Sequence, residues 1–359
     1  MDFSILMCPV TKNGLNEVNI NELNQFKLNE EFQQFGKIDK GLIDSSNSYF
    51  YPIFNNIIVL LPQYALYVGN GSDNRSKMIF DKKRVFDYYN QINFEINNSL
   101  QIYGDWKKWV DDREVSKEYS QQSFSKASKY YPKSGKYFLD IASGPVSFQE
   151  YMDLSNGYEY RICIDISINA LIQAQFNIEK NGKKGIFICG DISNIPIIDN
   201  ICDTVISQHT LYHIPKNEQK NAVNELYRVA KPNSKIVIIY SWFYHSWMMN
   251  LTLNIFQLYR ITRHLAGKVY VKFFKTRPII YFYAHSPSWF KKSFEFSNDI
   301  EFFSWRSTNI NFLKIYIHEW LWGKQILKWL SNFEDKHSRF MGTFGDYVSI
   351  VITKKDKLE

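Results

Sequence analysis

Tyr137-Phe138-Leu139-Asp140-Ile141-Ala142-Ser143-Gly144-Pro145-Val146-Ser147-Phe148 reads as a short apolar strand ending in an acid, then a turn of small residues, then the start of a helix. That order builds a ligand site. The strand carries the chain to an edge of the sheet, Gly144 permits a tight turn, and the next helix offers backbone N–H groups with no partner inside the helix. It is not the dinucleotide fingerprint, which requires G-x-G-x-x-G. Taken alone, the stretch is equally a plain strand–turn–helix.

The strands downstream separate the two readings. Arg161-Ile162-Cys163-Ile164-Asp165 is a second apolar strand, ending in an acid 25 residues after Asp140. Gly185-Ile186-Phe187-Ile188-Cys189-Gly190-Asp191 is a third, and Asp203-Thr204-Val205-Ile206-Ser207 is a fourth that runs into Gln208-His209-Thr210-Leu211-Tyr212-His213-Ile214-Pro215. Between them, Leu171, Ala174 and Ile178, then Ala222, Leu226 and Val229, recur at helical spacing. Lys231-Pro232-Asn233-Ser234 breaks the second helix ahead of a fifth strand, Lys235 to Tyr240. Strand–helix alternation with acids at strand ends predicts an open, mostly parallel α/β sheet with its ligand at the carboxyl edge.

Residues 137–242 resemble the class I S-adenosylmethionine (SAM)-dependent methyltransferases, and look most like the group that includes the ubiquinone and menaquinone methyltransferases. The first motif of that group is D-x-G-x-G-x-G. Here its positions hold Asp140, Ala142, Gly144 and Val146, so two of the three glycines are replaced. The acid closing strand two, Gly190-Asp191 and the run Leu211-Tyr212-His213-Ile214-Pro215 match the later motifs. The resemblance implies a Rossmann-like fold, a seven-stranded, mostly parallel sheet, and SAM as cofactor. It implies Asp140, Ala142 and Gly144 beside the methionine moiety, Asp165 with Ile164 at the ribose, and Asp191 with Ile192 at the adenine. Gln208 is a further cofactor-side candidate. A helix before the first strand is implied to lie over the cofactor, with Tyr119 as the contact. Plainer readings stand beside these: Asp165 as a helix N-cap, Asp191 as a turn acid, Tyr119 as an anchor to the core.

At 359 residues, 45% of them hydrophobic and 17% aromatic, the chain can bury a substantial core. No run of about 20 apolar residues predicts a transmembrane helix. Met1-Asp2-Phe3-Ser4 lacks a signal-peptide pattern, so a cytoplasmic location is expected. Cys8, Cys163, Cys189 and Cys202 are scattered and form no disulfide framework. Residues 1–66 read as a small α+β domain of their own. Cys8-Pro9-Val10-Thr11 and Tyr51-Pro52-Ile53 resemble a zinc-ribbon-derived family whose members activate methyltransferases. Thr11 stands where that family has its second cysteine and no other Cys-x-x-Cys exists, so no zinc is expected. Residues 67–135 are expected to form a helical linker that covers the cofactor. Residues 136–359 are then the methyltransferase domain, with its last strands at 300–306 and 346–353 and a helix around Ile315 to Leu330 between them.

The net charge of +7 is unevenly spread: Leu226 to Phe294 contains no Asp or Glu but eleven Lys and Arg. Within it, residues 243–298 form an aromatic, basic insertion, read as a lid over the strand ends. Its parts are an apolar helix from Trp247 to Leu265 with a basic end, then Val269 to Lys275 and Tyr281 to Pro287. Aromatics beside basic residues suit a lipid surface or an anionic substrate with an apolar body, and peripheral membrane contact is the favoured expectation. Core aromatics with solvated charges are the plain alternative. His209, His213 and His245 fall just beyond strands four and five and are the candidate bases. Their context lacks the acids or H-x-x-x-H helix of a metal site, and no metal is expected. No Asn/Asp-Pro-Pro-Tyr/Phe follows strand four, so a DNA partner is not expected. The expected function is methyl transfer from SAM to an O or N of a small-molecule or lipid-like acceptor. A non-catalytic SAM-binding or partner module, and an RNA methyltransferase suggested by the basic stretch, stay open.

Overall fold

The computed structural model describes residues 3–19, 38, 40–253, 262, 265–266 and 280–356. In chain order its strands are β1 (Leu15–Asn19), β2 (Lys40–Asp44), β3 (Tyr49–Phe54), β4 (Ile57–Val59), β5 (Leu66–Tyr67), β6 (Phe94–Asn97), β7 (Leu100–Tyr103), β8 (Gly135–Ile141), β9 (Tyr158–Asp165), β10 (Gly185–Cys189), β11 (Cys202–Gln208), β12 (Ala230–Ser241), β13 (Ile300–Arg306) and β14 (Tyr347–Thr353).

Strand alternation assigns the apolar side chains to two faces. Leu139 and Ile141 of β8 join Ile162, Ile164, Ile188, Val205 and Ile236 on one side. Phe138 turns to the other, with Ile206, Val237 and Ile239. Because both faces are covered, the strands read as nearly continuous apolar runs. The helix Ile168–Lys180 buries Leu171, Ala174 and Ile178, and Ser167 caps it by accepting from the Ala170 N–H. The helix Gln219–Val229 buries Ala222, Leu226 and Val229 against the first face. Each fully buried Leu, Ile or Phe side chain contributes about 1.5–3 kcal/mol, which fixes these helices on the sheet.

The sheet order is β1-β2-β3-β4-β10-β9-β8-β11-β12-β14-β13, with β5 on β3, so it holds twelve strands where seven were expected. The expected seven are consecutive within it, from β10 to β13. β8 to β12 pair in parallel, and β14 lies antiparallel between β12 and β13. The other strands span residues 15–67, so residues 1–66 do not stand apart. β4 pairs parallel with β10, Ile57 opposite Phe187 and Val59 opposite Cys189, and the Leu60 N–H donates to the Cys189 carbonyl at 2.8 Å. Ile57, Ile58 and Val59 are buried on both faces, so this strand needs a second neighbour, and the edge of β10 supplies it. Where the resembling family has its second cysteine, Thr11 donates to Asp44 Oδ2 at 3.1 Å. Asp44 also accepts from the N–H groups of Ser48 (2.7 Å) and Tyr49 (2.6 Å). A buried carboxylate thus ties the loop at Thr11 to the turn before β3.

Three further expectations are corrected. The segment 67–135 is not uniformly helical: a helix Phe80–Gln91 is followed by the β6–β7 hairpin, and only then by the helix Lys117–Ser125. The helix expected at Ile315 to Leu330 is two, Ile310–Tyr316 and Gly323–Lys336. Arg113 ends the first by donating to the carbonyls of Leu313 (2.9 Å) and Ile317 (3.1 Å). Of the expected lid helix, Trp247–Thr252 is helical; its continuation to Leu265 and the stretch Val269 to Lys275 lie largely or wholly outside the described residues. No helix among the described residues is long and apolar enough to cross a membrane.

Candidate functional site

A cavity of about 1780 Å³ opens over the carboxyl ends of β8 to β13, bounded on one side by the first residue of β14. Its two halves follow from strand order. Acids stand at or just beyond the ends of β8, β9 and β10 (Asp140, Asp165 and Asp191), whereas His209 follows β11 and aromatic groups stand at the end of β13 (Trp305) and the start of β14 (Tyr347).

The loop after β8 carries the glycine positions of the first motif. Ala142, Gly144 and Val146 have φ of 55°, 55° and 52°. All three adopt the left-handed region, although only one is glycine. That conformation costs an L-residue about 1–2 kcal/mol. At 146 the cost is offset by burial, since the Val146 side chain packs with Met152, Ile168 and Leu171. At 142 the backbone N–H donates to the Ile164 carbonyl at 2.6 Å. The loop therefore holds a left-handed backbone at all three positions at an energetic cost, with Ala142 and Val146 both at the cleft wall.

Asp165 is buried, with Oδ2 accepting from the Gly144 N–H (2.9 Å) and Oδ1 from the Ser167 N–H (2.8 Å). Burial pushes its carboxyl up to about 6, against the pull of these donors. A carboxylate offers about four lone-pair sites. The backbone takes two, and two remain for a pair of hydroxyl donors, which fits the ribose of an adenosyl group. Asp191 also lines the cleft; Oδ1 accepts from Ser193 N–H at 2.8 Å and Oδ2 pairs with Lys82 at 2.5 Å. Lys82 pairs with Glu218 as well. Ile192 lies beside Asp191 at the cleft wall. Asp140 reaches the cleft but is ion-paired with buried Arg161, whose Nε lies 3.1 Å from Oδ2.

Two cofactor-side assignments are corrected. Tyr119 does not reach the cleft. Its hydroxyl donates to Glu334 Oε1 at 2.5 Å, inside a separate cluster with Leu313, Ile317 and Leu327. Tyr103 and Tyr89 cover the loop instead: a Cβ placed on Gly144 meets the Tyr103 hydroxyl at 3.1 Å, and the Tyr89 ring lies 5.6 Å from that of Tyr103. Ile164 is fully buried in the sheet, and Ile166 lines the cleft in its place. Aromatic content marked the covering segment, but nothing local distinguished Tyr103 from Tyr119.

Of the candidate bases, two reach the cleft. His209, at φ 57°, follows β11 in the left-handed region. Its ring packs against Trp305 (4.7 Å) and Tyr347 (5.5 Å). Burial, then the Arg306 cation, pushes its imidazole down to about 3. His213 Nδ1 lies 2.9 Å from the Tyr281 carbonyl. A carbonyl only accepts, so Nδ1 carries the proton and Nε2 keeps its lone pair. Burial lowers His213 to about 4 despite that bond. Both rings are neutral at pH 7. His245 is not among the lining residues, because its turn presents Phe243 and Tyr244 to the cleft. Gln208 lines it, and its Oε1 is buried without a partner among the described residues. Phe124, Phe148 and Tyr151 complete an aromatic wall, the first two rings 4.7 Å apart. Trp305, Arg306 and Tyr347 went unrecognised in the sequence, where no motif marks the ends of β13 and β14. Among the described residues, no group of three His, Cys, Asp or Glu is placed to hold a metal.

Residues 139–238 match the protein family described as "Methyltransferase domain". A demethylmenaquinone methyltransferase from Renibacterium salmoninarum is 33% identical over 106 residues, 29% of this chain and 40% of that protein. An uncharacterized protein of Haemophilus influenzae is 36% identical over 76 residues, 21% of this chain and 30% of that one. The matched stretches thus span less than half the length of these relatives. Among solved structures, the phosphoethanolamine N-methyltransferase 2 of Haemonchus contortus with SAM bound aligns at a TM-score of 0.40 and 16% identity, over 66% of this chain and 52% of that one. Residues 139–238 thus match a methyltransferase domain, and the cofactor is S-adenosyl-L-methionine.

Proposed function

We propose that this chain transfers a methyl group from SAM to an oxygen or nitrogen of a small-molecule or lipid-like acceptor held in the aromatic half of the cleft. The observation that carries the reading is one continuous cavity joining the acids at the ends of β9 and β10 to histidines and aromatic rings beyond β11 and at β13–β14. SAM supplies a methyl carbon bonded to a positively charged sulfur. Asp165 takes the ribose hydroxyls, and Asp191 with Ile192 holds the adenine. Such transfer asks mainly for placement and, with a hydroxyl nucleophile, for a base. His213, fixed by Tyr281, has a free Nε2 lone pair to receive the acceptor's proton, and His209 is the second candidate. The aromatic wall of the cleft supports a small acceptor over RNA. So does the pairing of two of the basic residues, Arg228 with Asp199 and Glu225, and Lys231 with Asp203.

Contact with a lipid surface belongs to the same proposal. Trp247 and Leu251 are exposed on the helix that opens the insertion, with Phe344 exposed 6.4 Å from the Trp247 ring. The test of catalysis is incubation of the full chain with SAM carrying a deuterated methyl group and a mixed metabolite and lipid extract. Mass spectrometry should find a labelled acceptor. SAM binding without any labelled product would turn the reading to a binding module.

A further inference from the structure

Arg306 ends β13 at the floor of the acceptor half of the cleft, opposite Tyr347 in the strand register. It is 3% exposed. Every other arginine among the described residues has a carboxylate partner: Arg75 with Asp73, Arg84 with Asp81, Arg113 with Asp111, Arg161 with Asp140, Arg228 with Glu225, and Arg339 with Glu301. Arg306 has none among the described residues. Its Nε donates to the Thr308 carbonyl at 3.1 Å. Its guanidinium carbon lies 5.2 Å from the Trp305 ring centre and 5.0 Å from that of Tyr347. Aromatic faces stabilise a guanidinium but leave its outer N–H groups unbonded. A buried cation without a counter-charge is costly unless something completes it. A second donor waits beside it. Trp305, also lining the cleft, is 1% exposed and its Nε1–H has no partner among the described residues.

We infer that the acceptor is anionic, and that Arg306, with the Trp305 N–H beside it, receives its carboxylate or phosphate group. The inference rests on the methyltransferase reading and names the acceptor's class. The planar guanidinium fork matches either oxyanion in a bidentate fashion. The walls of Phe124, Phe148 and Tyr151 give the anion an apolar body to belong to. Bound there, it offsets the cation that helps keep His209 neutral, so a charged acceptor makes its own neighbouring imidazole more basic.

The test uses the full chain saturated with S-adenosylhomocysteine and titrated by calorimetry with benzoate, phenyl phosphate and, as the uncharged control, benzyl alcohol. One anion should bind at least tenfold more tightly than the control, and which one does names the group. Arg306→Gln should lose that preference at least tenfold with S-adenosylhomocysteine affinity unchanged, and Arg306→Lys should retain part of it. Because Arg306 is buried, Trp305→Phe provides an independent variant: it keeps an aromatic ring, deletes the N–H, and should weaken the preferred anion about threefold. Wild-type protein that binds neither anion better than benzyl alcohol overturns the inference, as do Arg306→Gln and Trp305→Phe variants with undiminished preference. Failure of the wild type to bind S-adenosylhomocysteine is a different result. It removes the methyltransferase reading, while titration of the anions without it still reads the Arg306 site.

Discussion

Replacing Asp165 by Ala deletes the acceptor assigned to the ribose. The carboxylate is buried and holds two backbone N–H groups, leaving lone pairs for two hydroxyls. A hydrogen bond to a charged group contributes roughly 1.5–3 kcal/mol, and about 1.4 kcal/mol is tenfold in affinity. Loss of even one such bond therefore weakens SAM at least about tenfold, readable by calorimetry at pH 7.5. The pH profile adds a second signature. The carboxyl sits at about 6 without ligand, and hydroxyl donors favour its charged form, so binding is linked to proton release below that value. SAM affinity should rise between pH 5 and 7 in the wild type and stay flat in Asp165→Ala. For the free protein the sign is opposite. A carboxyl raised from its usual ~3.9 binds more protons folded than unfolded between those values, so its contribution to stability falls as pH rises through that window. Unchanged SAM affinity in a folded Asp165→Ala protein, or a wild-type profile that is flat with pH, refutes the ribose assignment.

Asp140→Asn leaves the Arg161 cation buried without its counter-charge and should cost about 3–5 kcal/mol in urea unfolding; a loss under about 1 kcal/mol contradicts the structural role given to that pair. Ala142→Gly relieves a left-handed alanine and should raise stability by about 1 kcal/mol, so a lower melting temperature counts against the strain at that turn. Protein purified without added metal should carry well under one zinc per chain by elemental analysis, and a stoichiometric, chelator-resistant zinc would reverse the account of Thr11 and Asp44. The chain should cosediment with anionic vesicles at low salt and release at high salt, since exposed charges are screened beyond about 8 Å at physiological ionic strength. Trp247→Ala with Leu251→Ala should weaken that binding, and indifference to such vesicles at low salt leaves a soluble acceptor as the better reading.

The run from β8 to β12 was legible because a strand buried on both faces must be apolar throughout, and because the acids at the ends of the first three runs also line the cleft. Asp165 and Asp191 could thus be placed at the cleft, though not given their partners, from local pattern. What escaped were features settled by distant partners. Tyr119 and Tyr103 are alike in sequence, and the choice between them is made by Glu334, 215 residues beyond Tyr119. Arg306 carries no local mark; only the convergence of β12, β13 and β14 sets it beside Trp305 and Tyr347. The N-terminal strands looked self-sufficient because their hairpins are local, whereas the pairing that incorporates them is not.

That pairing has a consequence for how the protein is made. Ile57 of β4 meets Phe187 of β10, about 130 residues later in the chain, and synthesis proceeds at about 5–20 residues per second. For roughly 6–26 s the meander β2–β3–β4 has left the ribosome with one apolar edge and no neighbour. An open strand edge is a template for other chains, so a cell producing this protein quickly accumulates many such edges at once. Lower expression rates, or cooler expression, should therefore raise the soluble yield without changing the finished fold.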